Sequence, residues 1–139
     1  MVDDFEDYDA GENRIWFSWH DGIGYGMPGA DPYFAGNGTG AAVGDETSGS
    51  YTEETIVHGG NQSMPVFYEN NQPGKLKYSE VEKILIDLGN WTVESVGVLT
   101  LWFHGAESNS AEPMYVVING NAVVTHSNPN AIKIETWTQ

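Results

Sequence analysis

At 139 residues, 40% apolar and 12% aromatic, the chain holds enough greasy material for one packed domain and is too short for two. Its 20 acidic residues against 5 Lys and Arg give a formal charge of -15, which repels nucleic acid and anionic membrane surfaces and removes both as expected partners. Cysteine is absent, so no disulfide framework is possible, and no apolar run approaches the ~18 residues that membrane insertion needs.

Met1 leads directly into Val2-Asp3-Asp4 with no signal-peptide pattern, so a secreted protein would already have lost its leader. Residues 4–8 and 15–19 read as the first strands. Twelve of the 17 glycines fall at or before Gly60, and 22–49 reads almost entirely as turns. A loop that long inside a compact domain is expected to be functional or an insertion. Residues 55–58 and 63–70 are the next strand candidates. The 78–88 segment reads two ways. Ser79 and Glu82 form a capping box, with Val81, Ile84, Leu85 and Leu88 at helical spacing; Ile84, Ile86 and Leu88 also alternate as in a strand. Punctuation by Pro73-Gly74 and Gly89-Asn90 favours the strand.

The second half is more regular. Residues 98–104 alternate, with Leu99, Leu101 and Phe103 on one face and Thr100, Trp102 and His104 on the other. Residues 114–119 and 121–125 flank Asn119-Gly120, a two-residue hairpin signal, because both central turn positions need positive φ. Residues 132–138 close the chain, with Ile132, Ile134 and Thr136 alternating against Lys133, Glu135 and Trp137. About nine short strands separated by turns predict an all-β, two-sheet antiparallel sandwich, a single domain over 1–139.

Several ordered motifs carry a family likeness: the acidic start Asp3-Asp4-Phe5-Glu6-Asp7-Tyr8, the Gly60-to-Asn70 stretch with Asn61-Gln62-Ser63-Met64-Pro65, Tyr78-Ser79-Glu80-Val81-Glu82, Asn90-Trp91-Thr92, and Leu99-Thr100-Leu101-Trp102-Phe103-His104-Gly105. In this order they resemble jelly-roll modules of large secreted bacterial proteins, similar to carbohydrate-binding modules and to galactose-binding-like and laminin-G-like domains. The resemblance spans nearly the whole chain outside 22–49. It implies an extracellular or cell-surface location. Such modules continue with further strands ending in an Asp-Asp pair, whereas this chain ends at Trp137-Thr138-Gln139. A sandwich lacking its usual last strands has an unpaired edge, which invites a homo-oligomer or filament by strand addition.

Candidate sites follow. On a strand, Asp4 and Glu6 point the same way with Phe5 turned into the core; two hard carboxylates beside loop carbonyls suit calcium. The resemblance implies a structural calcium at the first strand, whose last ligand, a C-terminal Asp, is missing here. Sugars stack their C–H faces on aromatic rings and need planar polar groups alongside. If the Leu99 face is core, Trp102, His104 and Tyr115 line a free sheet face, with Phe67 and Glu69 from a neighbouring strand. Trp19 is expected in the core, while Tyr25, Tyr33 and Phe34 could overhang a cleft. Catalysis finds little footing: there is no Gly-x-Ser-x-Gly elbow, and His20, His58, His104 and His126 show no zinc spacing. Asn37-Gly-Thr39, Asn61-Gln-Ser63 and Asn90-Trp-Thr92 match the glycosylation acceptor pattern. The leading expectation is non-catalytic binding of a polysaccharide by an accessory domain; the alternative is a structural subunit of an extracellular fibre or surface assembly.

Overall fold

The computed structural model describes residues 2–85 and 97–139. Ile86, Leu88, Gly89-Asn90 and the Asn90-Trp91-Thr92 motif therefore lie outside the described residues. Among the described residues the chain is β-rich with scarcely any helix. Its regular elements are β1 (Trp19–His20), β2 (Ala41–Val43), β3 (Val66–Tyr68), β4 (Glu82–Lys83), β5 (Tyr115–Ile118) and β6 (Ala122–Thr125). Single 3-10 turns occupy Ile15–Phe17 and Ala131–Lys133. The strands form three antiparallel pairs, β1 with β4, β2 with β3 and β5 with β6. The chain forms two compact units, Met1–Asn90 and Trp91–Gln139.

In the first unit, Tyr8, Ile15 and Val43 form the buried centre, with Phe5, Trp16, Trp19, Met64 and Val81 packed against it. Trp19 pairs with Lys83 and His20 with Glu82, so the segment from 78 is extended at Glu82–Lys83, as the strand reading expects. The acidic start differs from the predicted strand. Asp3 Oδ1 accepts the Phe5 N–H at 2.9 Å and Asp4 Oδ1 the Glu6 N–H at 3.2 Å. These short carboxylate loops turn the backbone, with φ at 66° at Phe5, and the alternation that would align Asp4 with Glu6 is lost. Phe5 nevertheless reaches the core, its ring 5.8 Å from Trp19.

The glycine-rich stretch is ordered by side chains acting as backbone surrogates. Buried Asp21 accepts from the N–H of Ile23 and Gly24 through Oδ1 and from Val43 through Oδ2. Tyr25 and Phe34 exchange backbone bonds at 2.9 and 3.0 Å, so this part of the loop is a ribbon. Their rings pack with His20, which stacks on Phe34 at 4.2 Å, rather than standing over a cleft.

In the second unit the predicted hairpin forms in full, pairing Tyr115 with Thr125 through to Ile118 with Ala122. Asn119 and Gly120 supply the positive φ values of the turn, 51° and 68°. The stretch 98–104 departs from expectation. Leu99 and Leu101 are each 41% exposed, as open as Trp102 at 43%, so the apolar side of this segment is uncovered. Alternation fixes which side chains share a face, but cover has to come from elsewhere in the chain. Only half-buried Phe103 obtains it, through an isolated bridge to Thr138 and an edge-on contact with His126 at 5.5 Å.

Candidate functional site

The Phe103–Thr138 bridge organises the most distinctive surface. The two residues exchange both backbone bonds, each 2.9 Å, which marks a directly opposed antiparallel pair. One step along either strand, side chains turn to the opposite face. Trp102 and His104 therefore share a face with Trp137 and Gln139 of the partner segment. The contacts agree: His104 and Trp137 meet edge-on with ring centroids 5.6 Å apart, and Gln139 Nε2 donates to Thr100 Oγ1 at 3.3 Å. Two indoles, an imidazole, a carboxamide and a hydroxyl thus lie together. Beyond the bridge, Gly105 N–H donates to Ile132–Ile134 territory, reaching the Ile134 carbonyl at 2.9 Å. A Cβ on Gly105 would lie 2.3 Å from the Ile132 carbonyl oxygen, so this approach admits only glycine.

Of the five residues expected to bind ligand, Trp102 and His104 are brought together here. Tyr115 lies on the β5–β6 ribbon, on the opposite face from that carrying Met114 and His126. Phe67 and Glu69 belong to the first unit, where Phe67 is 55% exposed and Glu69 Oε1 accepts the Asn71 N–H at 2.8 Å. Trp137 was not among the expected site residues. Its parity within 132–138 is readable from sequence, but its pairing opposite His104 depends on a contact across more than thirty residues.

The first unit holds a second polar cluster around an open cleft of about 330 Å³ lined by Asp3, Asp4, Asp7, Tyr8, Ser18 and Lys83. Asp3 Oδ2 accepts from Tyr8 OH at 2.6 Å, Trp19 Nε1 at 2.9 Å and Lys83 Nζ at 2.6 Å. Burial pushes the Asp3 carboxyl up, but the bonds from Lys83, Tyr8, Phe5 and Trp19 outweigh it and hold the group below its ordinary value. Burial and the bond to Asp3 raise the Tyr8 phenol; Lys83 is lowered by burial but raised on balance by Asp3 and Tyr8. At neutral pH the phenol keeps its proton and the amine its charge, so neither is prepared as a base or nucleophile.

Asp4 and Glu6 serve different loops. Glu6 accepts from Asn61 N–H at 2.8 Å, Asn61 Nδ2 at 2.9 Å and Gln62 N–H at 3.0 Å, tying the acidic start to the segment after Gly60. These donors hold the exposed carboxylate below its ordinary value. Three charge-assisted bonds thus occupy the Glu6 carboxylate. Among the described residues no three His, Cys, Asp or Glu side chains converge as a metal-holding group, and no helix is long and apolar enough to cross a membrane. Asn37 and Asn61 of the acceptor patterns have their amides engaged, Asn37 Nδ2 on the Glu80 carbonyl and Asn61 Nδ2 on Glu6. No family model, curated protein or solved structure matches this chain.

Proposed function

We propose that the Trp102–His104–Trp137 face is a non-catalytic carbohydrate-binding platform, carried by a jelly-roll-like β-sandwich domain of an extracellular or cell-surface protein. The supporting observation is the co-facial set itself. Indole rings offer stacking surfaces for sugar C–H faces, while His104, Gln139 and Thr100 place planar and hydroxyl polar groups beside them. Trp102 is 43% exposed, so part of the residue is reachable from solvent. In affinity electrophoresis against soluble polysaccharides, Trp102→Ala and Trp137→Ala are each expected to weaken binding about tenfold, the loss typical of removing a central aromatic anchor. Unchanged retardation in both variants would contradict the assignment.

A structural calcium at Asp4 and Glu6 belongs to the same reading, and it requires Glu6 to exchange its three N–H donors for the ion. The expected outcome is a rise in Tm on adding Ca²⁺ that Glu6→Gln abolishes; a calcium-independent Tm in the native chain removes the ion from the account.

Assembly through strand addition is a second reading, favoured by the β5–β6 ribbon. Val123 and Val124 point to opposite faces yet are 60% and 65% exposed, and the stretch 115–125 carries no charge to guard it. Sedimentation should then show concentration-dependent association that Val124→Lys suppresses. A monomer at every concentration rules this reading out.

A further inference from the structure

We infer that the platform selects uncharged glycan chains and rejects uronic-acid and sulfated ones. This inference rests on the platform reading and narrows its ligand class. An anionic sugar needs a cation or a convergent set of N–H donors at its carboxylate or sulfate. The chain has 5 cationic side chains, and its own fold engages four of them. Arg14 lies over the rings of Trp16, Phe17 and Tyr51 at 5.7–5.9 Å, and its Nε donates to the Ala10 and Gly11 carbonyls. Lys83 is paired with Asp3 at 2.6 Å. Lys75 donates to the Gly22 carbonyl, and Lys133, the cation of the platform's own unit, donates to the Asn109 carbonyl at 2.6 Å. Lys77, exposed in the first unit, is the one cation among the described residues outside such contacts.

Apart from Lys133, the charged side chains among the described residues of this unit are acidic. Glu107, Glu112 and Glu135 belong to the same unit, and Glu135 stands two residues before Trp137. A polyanionic chain approaching this unit therefore meets an excess of carboxylates over the single ammonium of Lys133, whose hydrogen bond is already given to the Asn109 carbonyl. A neutral chain needs no counter-charge and can use the rings and hydrogen-bonding groups of the platform. A cationic glycan is attracted by the 20 acids anywhere on the surface, so it does not report on the platform.

The test compares hydroxyethyl cellulose, galactomannan and laminarin with alginate and a sulfated galactan, each with Ca²⁺ and separately with EDTA, at about 20 mM and about 200 mM salt. The native chain, Trp102→Ala and Trp137→Ala are measured side by side, and the thermal unfolding of each variant shows that a loss of binding is not a loss of fold. The expected result is retention by at least one neutral polymer, lost in the variants and changing no more than about twofold with salt, because no charges are paired. Neither acidic polymer should be retained. Retention of alginate or the sulfated galactan that the variants lose overturns the ligand class while leaving the platform standing. Failure of every polymer to bind under both conditions overturns the platform and this inference together.

Discussion

Asp3 shows how a single carboxylate can join distant parts of a small unit. It gathers Tyr8, Trp19 and Lys83 onto one oxygen, linking the acidic start to both strands of the β1–β4 pair. Asp3→Asn removes the charge and leaves Lys83 in a largely covered position, so a loss of about 3 kcal/mol at pH 7 is expected in urea unfolding. The direction with pH follows from the shifts. The folded Asp3 carboxyl lies below its ordinary 3.8, so its contribution is complete above about pH 4 and is lost as pH falls through the folded value. The folded Lys83 ammonium lies above its ordinary 10.5, so its contribution is complete below that pH and fades as pH rises through the folded value. The gap between native and variant should be flat between these limits and narrow in acid. A gap that persists unchanged at low pH contradicts the ion-pair account. The sequence points to Asp4 and Glu6 by assuming a strand, and the same local chemistry defeats that assumption. Asp3 and Asp4 cap their own following N–H groups, so the backbone turns at Phe5 and the carboxylate that matters is the one before the pair.

At the level of elements, legibility depends on how local the cause is. Asn119-Gly120 determines the β5–β6 turn within four residues, and that hairpin is readable in full. Gly120→Ala, at φ 68°, should cost about 1 kcal/mol and broaden the hairpin's amide signals without touching the first unit. The glycine-rich stretch is readable as turns but not as the ribbon it forms, because that ribbon depends on Asp21 reaching Val43 and on Tyr25 meeting Phe34. For 98–104, the parity of Trp102 and His104 against Phe103 is readable, whereas burial of Leu99 and Leu101 is not, since nothing within the segment supplies their cover. Trp137 is the largest omission: its place opposite His104 is fixed by the non-local Phe103–Thr138 bridge. Gly105→Ala tests that bridge's surroundings. The added methyl meets the Ile132 carbonyl, so a destabilisation of about 3 kcal/mol is expected, accompanied by loss of glycan retention. Retention at native strength would mean that the 103–106 pairing does not support the platform.

Across the whole molecule, the balance of charge bears on ligand choice. The formal -15 rests on 20 acids, and four of the five cations are engaged by rings, carbonyls or Asp3. Such an excess of acids repels polyanions, which is why the proposed ligand is an uncharged glycan. The central claim is that the indoles of Trp102 and Trp137 meet the ligand while those of Trp16 and Trp19 remain structural. Trp19 Nε1 is bonded to Asp3, and Trp16 is stacked on Tyr51 with centroids 5.0 Å apart. The most direct measurement is a titration of the ¹⁵N-labelled chain with a neutral polysaccharide that it retains, following the indole N–H signals by NMR. The account predicts that the Trp102 and Trp137 signals shift progressively while those of Trp16 and Trp19 stay in place. Shifts confined to Trp16 and Trp19 would contradict it.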